Sequence, residues 1–196
     1  KACKDGDIEL IEILLSEEIN LNEQKFKINK EKKTAAFVQN SVNFDEFTLH
    51  RSFKYNSEVY IITSIIGYPD YLLKRFKTLQ FDDDSEINTF YPFSFANSKI
   101  ECLHIPPKLK ELKEGWCDDL CFLNRIEISP SNKNLIFIDN QYLLGKTDQE
   151  SDNYDILLFG SRDIRKANIP SNIKIISSHA FENCKKLTTI EITDDS

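Results

Sequence analysis

The sequence has 196 residues, of which 40% are hydrophobic and 29% charged, as expected of a chain that folds around a core. Its formal net charge of −7 disfavours nucleic acid as a partner, because such binding depends on Lys and Arg side chains that neutralise phosphates. No stretch approaches the roughly 20 apolar residues that span a membrane, so we expect no membrane insertion within this sequence. The sequence starts in what looks like the middle of a motif, and we interpret it as a piece of a longer protein.

Residues 1–24 form the first of three predicted parts. The segment ACKDGDIELIEILLSEEINLN resembles the second half of an ankyrin repeat. Four of its apolar residues recur at helical spacing and form one stripe: Leu10, Ile11, Leu14 and Leu15. We therefore predict an ankyrin-like helix over about residues 8–16.

Residues 25–57 are predicted to be a linker and an N-terminal capping segment. Glu23–Thr34 is rich in lysine and poor in apolar residues, which indicates an exposed loop. Two short runs after it, Ala36–Val38 and Phe47–Leu49, resemble strands. We expect them to cover the open end of the units that follow, since the terminal apolar layer of a repeat array needs a cap.

A repeat occupies residues 58–196, the third predicted part. After an initial strand at Glu58–Ile65, five short apolar-x-apolar strand cores recur: Leu79–Phe81, Leu103–Ile105, Ile126–Ile128, Ala167–Ile169 and Ile190–Ile192. Successive cores are 23 or 24 residues apart, except for 41 residues between Ile126 and Ala167. The regular spacing lies within the period of leucine-rich repeats, which contribute one strand per unit.

The longer interval predicts an insertion at about residues 130–160. Two apolar runs, Asn132–Gly145 and Tyr154–Phe159, flank the polar stretch Lys146–Asn153. This pattern predicts a hairpin-like insertion with an exposed tip.

Two units align without a gap over 24 residues, Ile105–Ile128 and Ile169–Ile192. The shared positions are mostly apolar or Pro: Ile105/Ile169, Pro106/Pro170, Leu109/Ile173, Leu112/Ile176, Leu123/Leu187, Ile126/Ile190 and Ile128/Ile192. A unit of this length cannot bury its apolar face alone and must stack on its neighbours. The sequence therefore predicts an α/β repeat fold, a solenoid of about five strands.

The second of these units resembles the BspA-like leucine-rich repeat proteins. The matching positions are Ile169-Pro170, Ile173, Ile176, Ala180-Phe181, Cys184, Leu187 and Ile190-Glu191-Ile192. In the first unit Trp116-Cys117 replaces Ala-Phe and Leu120 replaces Cys, and we expect Trp116 to pack in the core. The resemblance implies an L-domain-like leucine-rich repeat solenoid, a right-handed β-α superhelix. It also implies non-catalytic protein binding by a surface antigen or adhesin.

Alternate residues of each strand must point outward, because the apolar residues between them point inward. The outward positions are Thr78, Gln80, Cys102, His104, Arg125, Glu127, Lys166, Asn168, Thr189 and Glu191. We expect these side chains to form one continuous polar face that binds a protein partner, with His104, Arg125 and Glu127 near its centre. The alternative is a solvated face without a partner.

The sequence gives little support for catalysis, metal binding or a cofactor. His104 has no suitable nucleophile beside it, since Cys102 lies on an open face that cannot exclude water. The acidic runs Asp82–Asp84 and Asp194–Asp195 lack the spacing and the glycine of a calcium loop. Two further histidines are interpreted as isolated residues: His50 and His179. We therefore predict that the chain is not an enzyme and holds no metal or cofactor.

Two alternatives remain open for the location of the protein and two for its function. The five scattered cysteines and the absence of an N-glycosylation sequon favour a cytoplasmic location for this fragment. The family resemblance suggests the cell surface instead. The chain is accordingly predicted to be either a surface-antigen or adhesin module, or a cytosolic ankyrin and leucine-rich repeat scaffold.

Overall fold

The computed structural model describes residues 5–40, 45–68, 77–96 and 98–192. In these residues it has one helix, α1 (Asp5–Leu15), and seventeen strands. The first strands are β1 (Glu17–Leu21), β2 (Gln24–Asn29), β3 (Thr34–Asn40), β4 (Glu46–Leu49), β5 (Ser52–Tyr55) and β6 (Glu58–Ile65). They are followed by β7 (Thr78–Phe81), β8 (Thr89–Phe90), β9 (Cys102–Ile105), β10 (Glu111–Leu112) and β11 (Arg125–Ile128). The last are β12 (Ile136–Ile138), β13 (Tyr142–Gly145), β14 (Ile156–Gly160), β15 (Lys166–Ile169), β16 (Ile175–Ile176) and β17 (Thr189–Ile192).

A sheet at the N-terminal end replaces the predicted exposed loop. Strands β1, β2 and β3 pair antiparallel, and β3 pairs in parallel with β6. The loop prediction for Glu23–Thr34 is wrong, because β2 lies within it and buries Phe26 and Ile28 to 2% exposure. Lysines alternate with these apolar residues, and Lys25 Nζ lies 3.1 Å from a carboxylate oxygen of Glu18. The sheet crosses residue 57, and the division of the chain into three parts stays a prediction.

Helix α1 is present, but it buries a different side from the predicted one. Leu10 and Ile13 pack against a cluster that consists of Ala36, Val38, Ile66 and Tyr91. By contrast, Ile11 and Leu15 are 43% and 82% exposed. The helix packs on its neighbours only through Leu10 and Ile13, which are three residues apart, so the rest of the predicted apolar stripe faces solvent. The ankyrin-like character of this segment stays a prediction. No helix of the described residues combines the length and hydropathy needed to cross a bilayer.

Two parallel ladders carry the repeat units. Strands β4, β7, β9 and β11 form one sheet, and β6, β8 and β10 follow one another in the other. Leu79, Leu103 and Ile126 from the first ladder and Phe90 from the second are buried in one common core. The predicted strand cores are confirmed, and β4 is a further member of the first ladder. The described repeat units consist of strands and turns, so the prediction of an α/β fold class is wrong for them.

The insertion is the predicted hairpin, and it interrupts the ladder. Strands β12, β13 and β14 pair antiparallel, with the polar stretch Lys146–Asn153 between β13 and β14. Strand β14 then pairs in parallel with β16, and β12 lies next to β11. In the described part of the chain, β15 pairs with β17 in a separate two-stranded sheet. Strands β12, β13 and β14 therefore form a layer, which we name the hairpin layer, that divides the expected single ladder between β11 and β15.

Aromatic packing connects the core on both sides of this interruption. Trp116 is 4% exposed, and its ring centroid lies 6.2 Å from that of Phe90 and 6.0 Å from that of Phe159 in β14. Phe95 meets the same indole edge-on at 6.2 Å. The prediction that Trp116 packs in the core is confirmed.

Candidate functional site

The ladder from β4 to β11 presents polar side chains that we name the polar strand face: Glu46, Thr48, Thr78, Gln80, His104, Arg125 and Glu127. The register pairs Glu46 with Thr78, Thr78 with Cys102, Cys102 with Arg125, Thr48 with Gln80, and His104 with Glu127. Because neighbouring strands lie about 4.8 Å apart, these side chains can meet across strands. The sequence analysis missed Glu46 and Thr48, although Phe47–Leu49 has the same apolar-x-apolar pattern as the other strand cores.

Cys102 does not belong to the exposed face on which it was predicted. Its side chain lies between Thr78 and Arg125 in the register and is 7% exposed. Burial raises the pKa of the Cys102 thiol, and the Arg125 guanidinium beside it only partly opposes this effect. The thiol is therefore neutral at neutral pH, which suits a packed residue rather than a nucleophile.

Glu127 is the centre of the charged groups on the polar strand face. Its carboxylate lies 2.5 Å from Arg125 Nη2 and 3.4 Å from His104 Nδ1. The Glu127 side chain keeps 43% exposure, so solvent screens these ion pairs and a partner can exchange with them. A shallow groove of about 230 Å³ begins at His104 and Glu127 and continues along Asp82 and Pro106.

The remaining predicted residues lie on the separate sheet of β15 and β17: Lys166, Asn168, Thr189 and Glu191. All four are exposed, and Lys166 Nζ lies 2.8 Å from a carboxylate oxygen of Glu191. The Asn168 backbone N–H donates a hydrogen bond of 2.9 Å to the Tyr142 hydroxyl in the insertion. The expectation of one continuous polar face is wrong, because the hairpin layer separates two polar surfaces.

Cys102, His104 and Glu127 could be considered as metal ligands, since one donor atom from each lies within 4.8 Å of the others. The neutral thiol is a poor ligand, because metals bind the thiolate. The Arg125 guanidinium also occupies the position beside Glu127 that a cation would take. This group of residues therefore suits an ion-pair cluster better than a metal centre.

His179 and His50 are not isolated, contrary to the prediction. His179 Nδ1 lies 3.2 Å from Asp118 Oδ1 and 3.5 Å from Glu182 Oε2. His50 Nδ1 lies 3.1 Å from Asp82 Oδ1. Sequence distance hid Asp118 and Asp82, because each lies in a unit that stacks beside that of its histidine, whereas Glu182 is only three residues from His179.

Arg162 is a buried residue that the sequence analysis missed, at 5% exposure. Its Nε donates to the Leu120 carbonyl and its Nη1 to the Ala180 carbonyl, both at 3.0 Å. Its guanidinium carbon lies 4.2 Å from the centroid of the Phe159 ring. Arg162 therefore joins the units before and after the insertion. Sequence alone gives no signal for this role, because arginine is usually exposed.

Stacked units that each add one short strand to a parallel ladder around a shared apolar core define a leucine-rich repeat protein. The chain matches the family described as "BspA type Leucine rich repeat region", in six copies over residues 22–143 and 156–196. It belongs to this BspA-type leucine-rich repeat family. The predicted family and leucine-rich repeat fold are thus confirmed, whereas the handedness of the superhelix stays a prediction.

Three solved structures are similar to this chain. A leucine-rich repeat protein from Eubacterium ventriosum is 15% identical over 88% of this chain and 58% of its own, with a TM-score of 0.52. The pneumococcal vaccine antigen PcpA is 15% identical over 91% of this chain and 65% of its own, with a TM-score of 0.46. A leucine rich cell surface protein from Faecalibacterium prausnitzii is 14% identical over 90% and 78% of the two chains, with a TM-score of 0.38.

This chain spans less than two thirds of the length of PcpA and of the Eubacterium ventriosum protein. The likeness to the latter supports the fold alone at this level of identity. No curated protein matches the chain.

Proposed function

We propose that the chain is a non-catalytic protein-binding module of the surface-antigen or adhesin type, and that the polar strand face receives the partner. The observation that carries this proposal is the group of His104, Arg125 and Glu127 beside the groove, in which Arg125 is exposed and the other two side chains are partly exposed. Family membership supports a repeat protein, and solenoids commonly bind partners on extended strand faces. The surface-antigen type follows the family resemblance.

The lining of the groove favours an extended segment with basic side chains as the partner. Asp82, Asp83 and Glu127 contribute acidic groups to the lining, and Pro106 and Pro107 contribute apolar surface. Charge complementarity of this kind selects partners and speeds association more than it adds affinity. The net charge of −7 likewise favours a partner with basic side chains.

A cytosolic scaffold is the second candidate function. The four cysteines in the described residues are free, and three of them are buried. Free thiols are typical of a reducing compartment. A scaffold would use the same polar strand face for an intracellular protein.

The location of the tagged full-length protein separates the two candidates. Surface labelling or protease digestion of intact cells should reach the tag if the chain belongs to a surface antigen. A signal confined to the cytosol would reject the surface-antigen type and favour the scaffold.

Binding to an array of purified extracellular matrix and cell-surface proteins tests the polar strand face itself. The triple variant His104→Ala/Arg125→Ala/Glu127→Ala should weaken binding by at least about tenfold, because a few residues near the centre of an interface, often including an arginine, carry most of its energy. The matched control removes three exposed charges elsewhere: Glu31→Ala/Lys32→Ala/Lys54→Ala. Equal binding by both triple variants and the wild type would show that the partner binds another surface.

A further inference from the structure

The two aligned units bring chemically similar residues together in their turns. Asp118 and Glu182 occupy the same position of the alignment, 64 residues apart, and His179 occupies the position of Gly115. The backbone conformation is also shared, since φ is 79° at Gly115 and 63° at His179. The same turn of the two aligned units therefore supplies two carboxylates and one imidazole.

Stacking places these two turns side by side, across the interruption of the ladder. The Cys117 thiol donates to the His179 carbonyl at 3.9 Å, and Arg162 bonds to a carbonyl of each turn. Two acidic side chains at equivalent positions of stacked units must lie close together, which is unfavourable without a positive charge between them.

The imidazole nitrogen lies at the distance from each carboxylate oxygen that two ligands of one tetrahedral metal ion would have. Zinc binds imidazole nitrogen and carboxylate oxygen at about 2.0–2.2 Å, so two such ligands of one ion lie about 3.4 Å apart. His179 Nδ1 lies 3.2 Å from Asp118 Oδ1 and 3.5 Å from Glu182 Oε2. The donor atoms all lie within 4.8 Å of one another, and a cation would draw the two carboxylates closer.

Electrostatics in the cluster leave room for one more positive charge. Among the described residues, no group donates a hydrogen bond to Asp118 Oδ1 or Glu182 Oε2, although both atoms are buried. Two more acidic residues, Asp119 and Glu114, lie near the Asp118 carboxylate, and His179 is the basic group beside it. A single imidazole N–H cannot satisfy both carboxylate oxygens, because one N–H donates one full hydrogen bond.

We propose that Asp118, His179 and Glu182 bind a zinc-class divalent cation that fastens the two stacked turns together. One nitrogen and two oxygens suit Zn²⁺, whereas Ca²⁺ and Mg²⁺ prefer shells made of oxygen alone. The fourth position is left for water, so the affinity is lower than that of a closed four-ligand structural site. The ion would join the units on both sides of the hairpin layer, where the strand ladder is broken.

Titration of the metal-free chain with zinc chloride tests this site by calorimetry and by thermal unfolding. We expect one equivalent of zinc to bind and to raise the Tm, and the same concentration of magnesium to leave the Tm unchanged. His179→Asn and Glu182→Gln should each weaken zinc binding by at least about tenfold, since each removes one of three ligands. Asparagine tolerates the positive φ at position 179, and the Gln variant keeps the size of the side chain.

The matched control variants are His104→Asn and Glu127→Gln, because His104 and Glu127 belong to the other His–carboxylate group. They should bind zinc as the wild type does, and circular dichroism should show that all four variants are folded. The proposal fails if the wild type takes up no zinc, if His179→Asn and Glu182→Gln bind it as tightly as the wild type, or if the control variants lose binding equally. Partner binding by the polar strand face is measured separately, so this result does not depend on the proposed function.

Discussion

Replacing Arg162 by methionine should destabilise the chain more than most surface changes, because its guanidinium joins the units across the insertion. Methionine fills a similar volume but donates no hydrogen bond. The Leu120 and Ala180 carbonyls would both lose donors that now lie at 3.0 Å. The Leu120 carbonyl would be left without that donor, which costs about 1–3 kcal/mol for a buried polar group. The Ala180 carbonyl keeps the Gly160 N–H at 2.8 Å, so its lost hydrogen bond costs only about 0.5–1.5 kcal/mol.

Two further contributions act in opposite directions. The guanidinium lies over the Phe159 ring at 4.2 Å, and losing such a contact costs about 1–2 kcal/mol. Conversely, methionine removes the desolvation of a buried charge, which is worth several kcal/mol. We therefore expect Arg162→Met to lower the free energy of unfolding by about 2 kcal/mol.

Urea unfolding, followed by far-UV circular dichroism and by the fluorescence of Trp116, measures this change. Arg165→Met is the matched control, because Arg165 is exposed in the same segment and should change stability by less than about 0.5 kcal/mol. Arg162→Lys keeps the charge but has a single nitrogen, so it should lose most of the same stability. The reasoning is refuted if Arg162→Met is as stable as the wild type, or if the Arg165 control loses as much.

Three further changes have defined outcomes. Asn132→Ala should lower the free energy of unfolding, measured with urea, by about 2–4 kcal/mol, because the buried amide makes four hydrogen bonds to backbone groups. Asn153 is exposed, so the control variant Asn153→Ala should keep the stability of the wild type, and equal losses in the two variants would contradict this reasoning. Gly67→Ala should yield little folded protein on size-exclusion chromatography, because its Cβ would lie 1.6 Å from a backbone carbonyl oxygen; a normal monomer peak would be unexpected. Hydrogen bonds from Thr147 lower the pKa of Asp155 from the usual 3.8 to about 2, so the carboxylate stabilises the fold above pH 3.8 and this contribution is lost as the pH falls towards 2. The Tm difference between the wild type and Asp155→Asn should therefore shrink over that interval, and a constant difference would argue against the role of the carboxylate.

Spacing made most of the repeat predictable. The apolar-x-apolar cores such as Leu103–Ile105 and Ile126–Ile128 recur with the period of one strand per unit, and they form the ladder as predicted. The hairpin was equally predictable, because the 41-residue interval contains two apolar runs around a polar tip. These features depend on periodicity, which a sequence displays directly.

The errors occurred where a residue's surroundings come from a distant part of the chain. Lysine content hid strand β2, although the alternation of Lys25, Phe26, Lys27 and Ile28 is a strand pattern. Burial of Cys102 depends on the arginine that pairs with it across strands, and arginine at that position could equally extend into solvent. The partners of His179 could have been found by reading the two aligned units at each turn position as well as at the apolar positions.

The hairpin layer also affects how the molecule can open. In repeat proteins each unit contacts only its neighbours, so cooperativity passes from unit to unit and is weakest where the interface is irregular. The β15–β17 pair is joined to the strands before the insertion mainly through the insertion itself and Arg162. Local unfolding of this pair should therefore stop at the hairpin layer. The polar strand face would remain assembled in such a partly open state, because its ladder lies wholly on the other side.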